Sequence, residues 1–154
     1  MDDKDRQLLM LLQKNGRASL TVIAKKINLS IDSTHKRIKK LMDSGVIDHF
    51  GIFIDPKNIG YDIVVDVKIK LHNVTGQEVQ DIISYLKKHP NCIELIAVSG
   101  EFDLTCVLIA KNTKELNDVS FRIRQKFKEI IADWNASFNL EVHKFEWYDL
   151  NGLV

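Results

Sequence analysis

The sequence has few of the residues that mark special environments: two cysteines, two prolines and seven glycines in 154 residues. Cys92 and Cys106 do not form a Cys-x-x-Cys pair, so we expect free thiols in a reducing compartment. The low proline and glycine content excludes a collagen-like or low-complexity chain. No apolar run reaches the roughly 18–20 residues that a membrane-spanning helix needs. The first residues are polar and acidic, unlike a secretion signal. These absences predict a cytoplasmic protein with no membrane partner.

Motifs of catalytic and metal chemistry are also missing. The sequence has no Gly-x-x-x-x-Gly-Lys phosphate loop and no Gly-x-Ser-x-Gly nucleophile elbow. Its histidines show no metal-ligand spacing with one another or with cysteine. We therefore expect no metal, no cofactor and no enzymatic activity. The five histidines are His35, His49, His72, His89 and His143.

The formal net charge of +1 is an average over two different regions. Taken alone it argues against a nucleic-acid partner. However, the stretch from Lys14 to Leu41 holds eight basic residues and one acid, Asp32. Residues 1–55 carry a net +3 and the remainder a net −2. A chain of this length allows two small domains, and the charge distribution predicts a basic first domain.

Three short helices are predicted in the first domain. The leucines of residues 8–12 form a helical stripe that ends at Asn15-Gly16. Ser19 and Ser30 are predicted to cap the second and third helices. The tight turn Asn28-Leu29-Ser30 separates these two helices. Three helices with so short a second turn are typical of a helix-turn-helix.

The third helix is predicted to read DNA. With Ile38 facing inward, its opposite face is polar and mostly basic. In a helix-turn-helix, the N-terminal residues of this helix meet base edges, and lysines farther along and on the second helix meet phosphates. The predicted DNA-binding residues are Arg17, Lys25, Lys26, Ser30, Asp32, Ser33, His35, Lys36, Arg37, Lys39 and Lys40.

A boundary is predicted after the helices. Residues 49–55 alternate only partly and predict a short strand or a wing. The turn-rich segment from Pro56 to Gly60 predicts a hinge. We therefore expect a helix-turn-helix domain at 1–55, a linker at 56–61 and a second domain at 62–154.

The second domain is predicted to be a ferredoxin-like sheet. Residues 65–71 alternate with a period of two, as in a strand with one buried face. Thr75 with Glu78 forms a capping-box spacing, and Asn112 precedes a second helix. With a last strand at 140–148, the order is βαββαβ. The predicted fold class is α+β, in which a winged-type helix-turn-helix precedes a ferredoxin-like βαββαβ antiparallel sheet.

An antiparallel sheet with helices on one face leaves its other face exposed. Aromatic residues near the predicted last strand suggest that a partner covers part of it. A homodimer is the simplest such partner, and twofold symmetry would place two helix-turn-helix units on a near-palindromic duplex. The aromatic residues are Phe138, Phe145, Trp147 and Tyr148.

These features together resemble the leucine-responsive and asparagine-regulator (Lrp/AsnC) family, the feast/famine transcription regulators. The resemblance covers nearly the whole chain. In the first domain and link it rests on Asp5-Arg6, Leu8-Leu9, Leu12-Gln13, Gly16-Arg17, Ile23-Ala24, Leu29-Ser30, Arg37-Ile38-Lys39-Lys40-Leu41, Gly45-Val46-Ile47 and Asp55-Pro56 with Gly60. In the second domain Gly100-Glu101-Phe102-Asp103 is similar to the family's Gly-x-Tyr-Asp turn.

The resemblance implies a sequence-specific regulator of transcription that binds double-stranded DNA as a homodimer or an octamer. It also implies a small-molecule effector, an amino acid, that modulates oligomeric state or DNA affinity. Effector sites in the family lie between subunits, near the Gly-x-Tyr-Asp turn and the start of the final strand. By position, the effector-binding residues are Ser99, Gly100, Asp103, Asn135 and Ser137.

Two departures from the family pattern concern this site. Phe102 stands in place of the usual tyrosine and removes its hydroxyl. Trp134 lies where many members have Pro-Gly-Val, and it could fill or reshape an effector pocket. Both departures bear on which ligand binds.

Two other functions are compatible with a two-domain layout of this kind. Sirohaem-type tetrapyrrole decarboxylases resemble it, and a coloured purified protein would favour that activity. A ligand-sensing or interaction module without DNA binding is the other alternative. Neither alternative explains why the third helix is basic. Salt-dependent binding to duplex DNA would distinguish a regulator from both.

Overall fold

The computed structural model describes residues 1–151, which form two compact units. Among the described residues, the helical unit consists of Met1–Phe53 and 143–151, and the sheet unit of Ile54–Val142. The helices of the helical unit are α1 (Asp3–Lys14), α2 (Leu20–Ile27) and α3 (Ile31–Asp43). The sheet unit contains a 3₁₀ turn (Pro56–Ile59), β1 (Ile63–Leu71), α4 (Gly76–Lys88), β2 (Cys92–Ala97), β3 (Leu104–Ala110), α5 (Thr113–Lys126) and β4 (Ile131–Phe138).

Helix caps and a small apolar core hold the helical unit. α1 begins at a capping box, in which Asp2 accepts a hydrogen bond from the N–H of Asp5 and the Asp5 carboxylate accepts one from the N–H of Asp2. Ser19 and Ser30 cap α2 and α3, as predicted, by accepting from backbone N–H groups. The apolar stripes of all three helices meet in one core. Its buried residues are Leu8, Ile23, Ile27 and Leu41.

The four strands form one antiparallel sheet in the order β2-β3-β1-β4. Alternate residues of β1 face opposite sides, so Val65 and Val67 are buried while Asp66 and Lys68 are exposed. α4 and α5 cover the buried face and share its core. Each helix connects two strands that flank a third, which is the split βαβ arrangement. The predicted ferredoxin-like α+β fold is therefore confirmed.

The prediction of the last strand was wrong. The strand is Ile131–Phe138 rather than 140–148, and it pairs with β1 from Val65 opposite Phe138 to Leu71 opposite Ile131. Alanine, aspartate, asparagine and serine give residues 131–138 low intrinsic strand propensity. These residues nevertheless form a strand, because they pair with the central strand β1. The aromatic segment that follows is not part of the sheet.

The segment from His143 packs with the helical unit instead. Phe145 contacts Phe53 edge to face, with ring centroids 5.1 Å apart. The side-chain amide of Gln13 accepts from the N–H of Tyr148 and donates to its carbonyl, at 3.0 and 3.1 Å. The helical unit thus combines residues 1–53 with a later segment of the chain, and the predicted domain limits of 1–55, 56–61 and 62–154 stay a prediction. Residues 49–55, predicted as a strand or wing, form no strand.

Candidate nucleic-acid interface and ligand-binding face

The turn between α2 and α3 sets the geometry of the candidate interface. Asn28 adopts the left-handed conformation (φ 53°), and its N–H donates to the last turn of α2. Two residues later Ser30 starts α3, whose buried side carries Thr34 and Leu41. The Thr34 hydroxyl is satisfied by the carbonyl of Ser30 at 2.9 Å. The opposite side of α3 is therefore presented to solvent.

Most of the predicted DNA-binding side chains lie on exposed surface of the helical unit. Positive charge is concentrated at the end of α2 and along α3, which are the two helices of the motif. The lysines of α2 occupy its last turn, where cations also complement the helix dipole. The exposed members of the predicted set are Arg17, Lys25, Lys26, Ser30, Asp32, His35, Lys36, Lys39 and Lys40.

Ser30 and Ser33 form a small network at the start of α3. Ser30 Oγ accepts from the N–H of Ser33 at 3.1 Å and donates to Ser33 Oγ at 2.9 Å. Ser30 is thus engaged as the helix cap. Ser33 is half-buried and its hydroxyl accepts in that bond, so its own proton stays available for a base edge, whereas the Ser30 hydroxyl is used within the network.

An exposed ion pair joins Lys36 to Asp32 one turn earlier on α3, at 2.8 Å. The Asp32 carboxylate raises the pKa of Lys36, which keeps the lysine cationic. Both side chains are more than 70% exposed, so water and salt weaken the pair. Lys36 can therefore leave Asp32 for an acceptor on DNA.

Arg37 differs from the lysines around it. Its Nη1 donates to both carboxylate oxygens of Asp2, at 2.9 and 2.7 Å, and to Oδ1 of the buried Asp5 at 2.7 Å. These two carboxylates raise the pKa of Arg37, and the Asp5 N–H together with Arg37 lowers the pKa of Asp2. Nη1 of Arg37 is thus occupied by two carboxylates, unlike the lysines around it, and the predicted DNA contact of Arg37 stays a prediction. The sequence pattern did not pair Arg37 with Asp2 or Asp5, so this role was missed.

The predicted effector residues lie on two parts of the sheet unit. Ser99 and Gly100 belong to the exposed turn between β2 and β3, where Gly100 has φ 134°, a conformation that requires glycine. Asn135 and Ser137 lie on β4, opposite Lys68 and Asp66 of β1. β1 therefore separates the two groups within one chain.

Asp103, which directly precedes β3, already has hydrogen-bond partners at the end of β1. Its Oδ2 accepts from the N–H of Leu71 at 2.7 Å and lies 3.6 Å from Lys70 Nζ. Its backbone N–H donates to the carbonyl of Ile69. Asp103 thus links the end of β1 to the start of β3 and stabilises the turn, and its predicted effector contact stays a prediction.

Trp134 does not line the same face as Asn135. It lies opposite Ile69 on the helix-covered side of the sheet and packs against the core. Because neighbouring residues of a strand point to opposite sides, Trp134 lies on the other side of the sheet from the predicted effector residue Asn135.

Two cavities of the sheet unit lie elsewhere. One of about 390 Å³ lies beside β2 and the end of α4, and one of about 200 Å³ lies between α4 and the end of α5. None of the five predicted effector residues lines either cavity. Cys92 lines the larger one, and a hydrogen bond from the buried Cys106 thiol lowers the pKa of Cys92. Both cysteines are free.

Two further features bear on the function class. Among residues 1–151, no helix is both long and apolar enough to cross a bilayer. In the same part of the chain, no three His, Cys, Asp or Glu side chains gather as a metal site requires.

Comparisons with known families match both units. Residues 1–42 match the AsnC-type helix-turn-helix domain, and residues 64–145 match the Lrp/AsnC ligand binding domain. The HTH-type transcriptional regulator FL11 of Pyrococcus furiosus is 34% identical over 118 residues, which are 77% of this chain and 76% of that protein. The HTH-type transcriptional regulator Ptr1 of Methanocaldococcus jannaschii is 28% identical over 116 residues, 75% of this chain and 76% of that protein.

Solved structures share the fold over the whole chain. A transcriptional regulator from Neisseria meningitidis, in complex with L-Met, superposes with a TM-score of 0.90 at 20% identity, covering 100% of this chain and 99% of that one. An AsnC family transcriptional regulator from Agrobacterium tumefaciens gives 0.87 at 23% identity, covering 100% of both chains. With the family matches and the relatives above, these findings show that the chain belongs to the Lrp/AsnC family of transcriptional regulators.

Proposed function

We propose that this regulator binds DNA in a sequence-specific manner as a homodimer or an assembly of dimers, in the cytoplasm, and that a small molecule of the amino-acid class tunes its DNA affinity or assembly. The observation that carries the proposal is the exposed basic face of the α2–α3 motif. It combines the tight turn at Asn28 with lysines on both helices. This combination fits a duplex better than it fits a catalytic or purely sensing role.

We assign affinity and specificity to two different sets of contacts. Cations at the edge of the motif meet phosphates, which give affinity without sequence information. Side chains near the start of α3 meet base edges in the major groove. The proposed phosphate set is Arg17, Lys25, Lys26, Lys39 and Lys40. The proposed base-reading set is Asp32, Ser33, His35 and Lys36.

The proposed dimer rests on exposed apolar side chains. Ile52 and Phe53 are 79% and 81% exposed, and Phe145, which contacts Phe53, is 52% exposed. On the sheet unit, Leu140 is 88% exposed. Apolar exposure on this scale is typical of surfaces that a partner covers. A second copy of the chain would cover them and present two α3 helices to a near-palindromic operator.

The proposed effector site needs residues from more than one copy. Within one chain β1 separates the Ser99–Gly100 turn from Asn135 and Ser137, although Asn135 and Ser137 lie on the face that no helix covers. The structurally similar Neisseria meningitidis regulator was determined in complex with L-Met, which supports an amino acid as the ligand class. Backbone N–H groups near Gly100 would bind a carboxylate.

Selection from a random duplex pool tests the proposed function most directly. The protein is incubated with the pool at moderate salt, with and without a mixture of the common amino acids, and bound duplexes are sequenced. We expect a near-palindromic motif whose enrichment changes with the amino acids. An enriched motif with a single asymmetric half-site would contradict the dimer. No salt-dependent duplex binding would favour a sensing module, and an absorbing, coloured protein would favour the tetrapyrrole decarboxylase.

Lys25→Gln is expected to weaken binding to every duplex alike. Loss of one phosphate contact should reduce the slope of log K against log salt by about 0.9. Fluorescence anisotropy between low and moderate salt measures the slope on a selected and an unrelated duplex. Lys88→Gln, which changes an exposed lysine of α4, is the matched control and should leave both slopes unchanged. An unchanged slope for Lys25→Gln would remove α2 from the DNA interface.

An effector amino acid is expected to raise the thermal stability of the protein, because it binds only the folded state. At about 100 times Kd the stabilisation is about 2.7 kcal/mol, which shifts Tm by several degrees. Differential scanning fluorimetry with methionine and the other common amino acids measures the shift. Asn135→Ala should abolish it, while Asn117→Ala on α5 should not. An undiminished shift in Asn135→Ala would place the ligand elsewhere.

A further inference from the structure

A buried carboxylate sits where α1 meets α3. The Asp5 side chain is only 4% exposed. Its Oδ2 accepts from the N–H of Asp2 and its Oδ1 from Arg37. A buried carboxylate is costly unless it is paired and hydrogen-bonded. Arg37 supplies the counter-charge from the middle of α3, so the start of α1 and the centre of α3 share one polar network.

The network also involves the cap of α1. Asp2 accepts from the N–H of Asp5 as the capping residue and from Arg37 through both carboxylate oxygens. The guanidinium therefore closes a ring of charge-assisted hydrogen bonds that are stronger than neutral ones. Arg37 remains 29% exposed, but its Nη1 is directed to these two carboxylates.

Arg37 is placed to control the rotation of α3 about its own axis. Lys36 precedes it directly, and Ser33 lies four residues earlier on the same helix. In a helix each side chain has a fixed angular position relative to its neighbours. A rotation that released Arg37 from Asp5 would therefore move Ser33 and Lys36, two of the proposed base-reading side chains, by the same angle. Hydrogen bonds to base edges tolerate little displacement.

We propose that Arg37 is a positioning residue: its contacts with Asp2 and Asp5 hold α3 in the rotation that presents Ser33 and Lys36 to base edges. Arg37 makes no phosphate contact of its own. This inference rests on the proposed function, since it assigns a source of specificity to the same helix. It gives Arg37 a different role from the neighbouring Lys39 and Lys40, which are proposed to bind phosphates.

Specificity and salt dependence distinguish positioning from phosphate binding. In Arg37→Gln the affinity for an unrelated duplex, and its salt slope, should stay unchanged. The ratio of affinities for the selected operator over the unrelated duplex should fall at least tenfold, the scale of one or more lost base contacts. Lys39→Gln, two residues away, is the matched control. It should lower both slopes by about 0.9 and keep the ratio.

Asp5→Asn provides the second variant. It keeps the shape of the side chain but removes the charge that holds Arg37. We expect the same loss of the affinity ratio, and the double variant Asp5→Asn/Arg37→Gln should lose no more than either single variant, because both act through one contact. If Arg37 instead bound phosphate, Asp5→Asn would release it and strengthen binding to all duplexes.

Folding of the variants is checked by thermal unfolding, and Arg37→Lys, which keeps a cation, should recover most of the ratio. A drop of about 0.9 in the slope of Arg37→Gln with an unchanged ratio would overturn the proposal. Failure of the wild-type protein to bind any duplex would overturn the proposed function instead. In that case the Asp5–Arg37 coupling is still measured by the double-mutant cycle on unfolding, where additive effects would show that no such network exists.

Discussion

Leu8→Ala is expected to lower the free energy of unfolding of the helical unit by about 3 kcal/mol. Leu8 is fully buried in the small core that α1, α2 and α3 share. Its truncation removes apolar contacts and leaves a cavity among side chains from all three helices. A unit of this size has few other apolar contacts with which to compensate, because small domains bury a low fraction of their surface.

The consequence for function follows from the same core. Ile23, Ile27 and Leu41 set the angle between α2 and α3 and are the neighbours that Leu8 supports. We therefore expect Leu8→Ala to lose operator binding at temperatures where the wild-type protein retains it. Urea unfolding followed by circular dichroism measures the free energy, and anisotropy at the same temperatures measures binding. Val22→Ala, on the exposed side of α2, is the control and should change the free energy by less than about 0.5 kcal/mol. A loss of less than 1 kcal/mol in Leu8→Ala would show that the core relaxes around the deletion.

The parts of the fold that local chemistry determines could be predicted from the sequence. Ser19, Ser30 and the Thr75–Glu78 capping box each start a helix where the pattern places it. These signals depend on residues within one turn of each other, so no knowledge of distant contacts is needed. The strand alternation of β1 is local in the same sense.

The parts that depend on distant partners could not be predicted in the same way. Residues 131–138 have weak strand propensity and form β4 because β1 offers a free edge. The segment after His143 was predicted to be part of a strand. Its backbone instead forms hydrogen bonds with the side chain of Gln13, which is far away in sequence. Propensity gives no information on such pairings.

The candidate site shows the same division. The exposed lysines of α2 and α3 follow from helical periodicity, which the sequence displays. Arg37 has the same periodic signal as a surface cation, but Asp2 and Asp5 on another helix determine where its guanidinium lies. One available signal was the pair of acids at the start of α1 opposite an arginine near the inward side of α3. Charge alone does not reveal whether a cation pairs inside the protein or faces a duplex.

Scrambling one half of the operator is expected to weaken binding by about 10²-fold or more. In a dimer, once one α3 is bound, the second meets its half-site at an effective concentration near the millimolar range. Without that half-site the second α3 can no longer bind, whereas the first α3 still binds its own half-site. The expected loss therefore exceeds that of any single phosphate contact, and anisotropy titrations of whole and half-scrambled duplexes at one salt concentration measure it.

Changing the spacing between the two half-sites tests the dimer more sharply. An insertion of five base pairs rotates one half-site by about half a helical turn, so that it faces the opposite side of the duplex. An insertion of ten base pairs returns both half-sites to the same side of the duplex, but they are then farther apart. A rigid dimer should lose about as much affinity with the five-pair insertion as with a scrambled half, and should recover part of it with ten. Equal affinity for all four duplexes would mean that each chain binds DNA alone, and the exposed apolar side chains at Ile52 and Phe53 would then serve another partner.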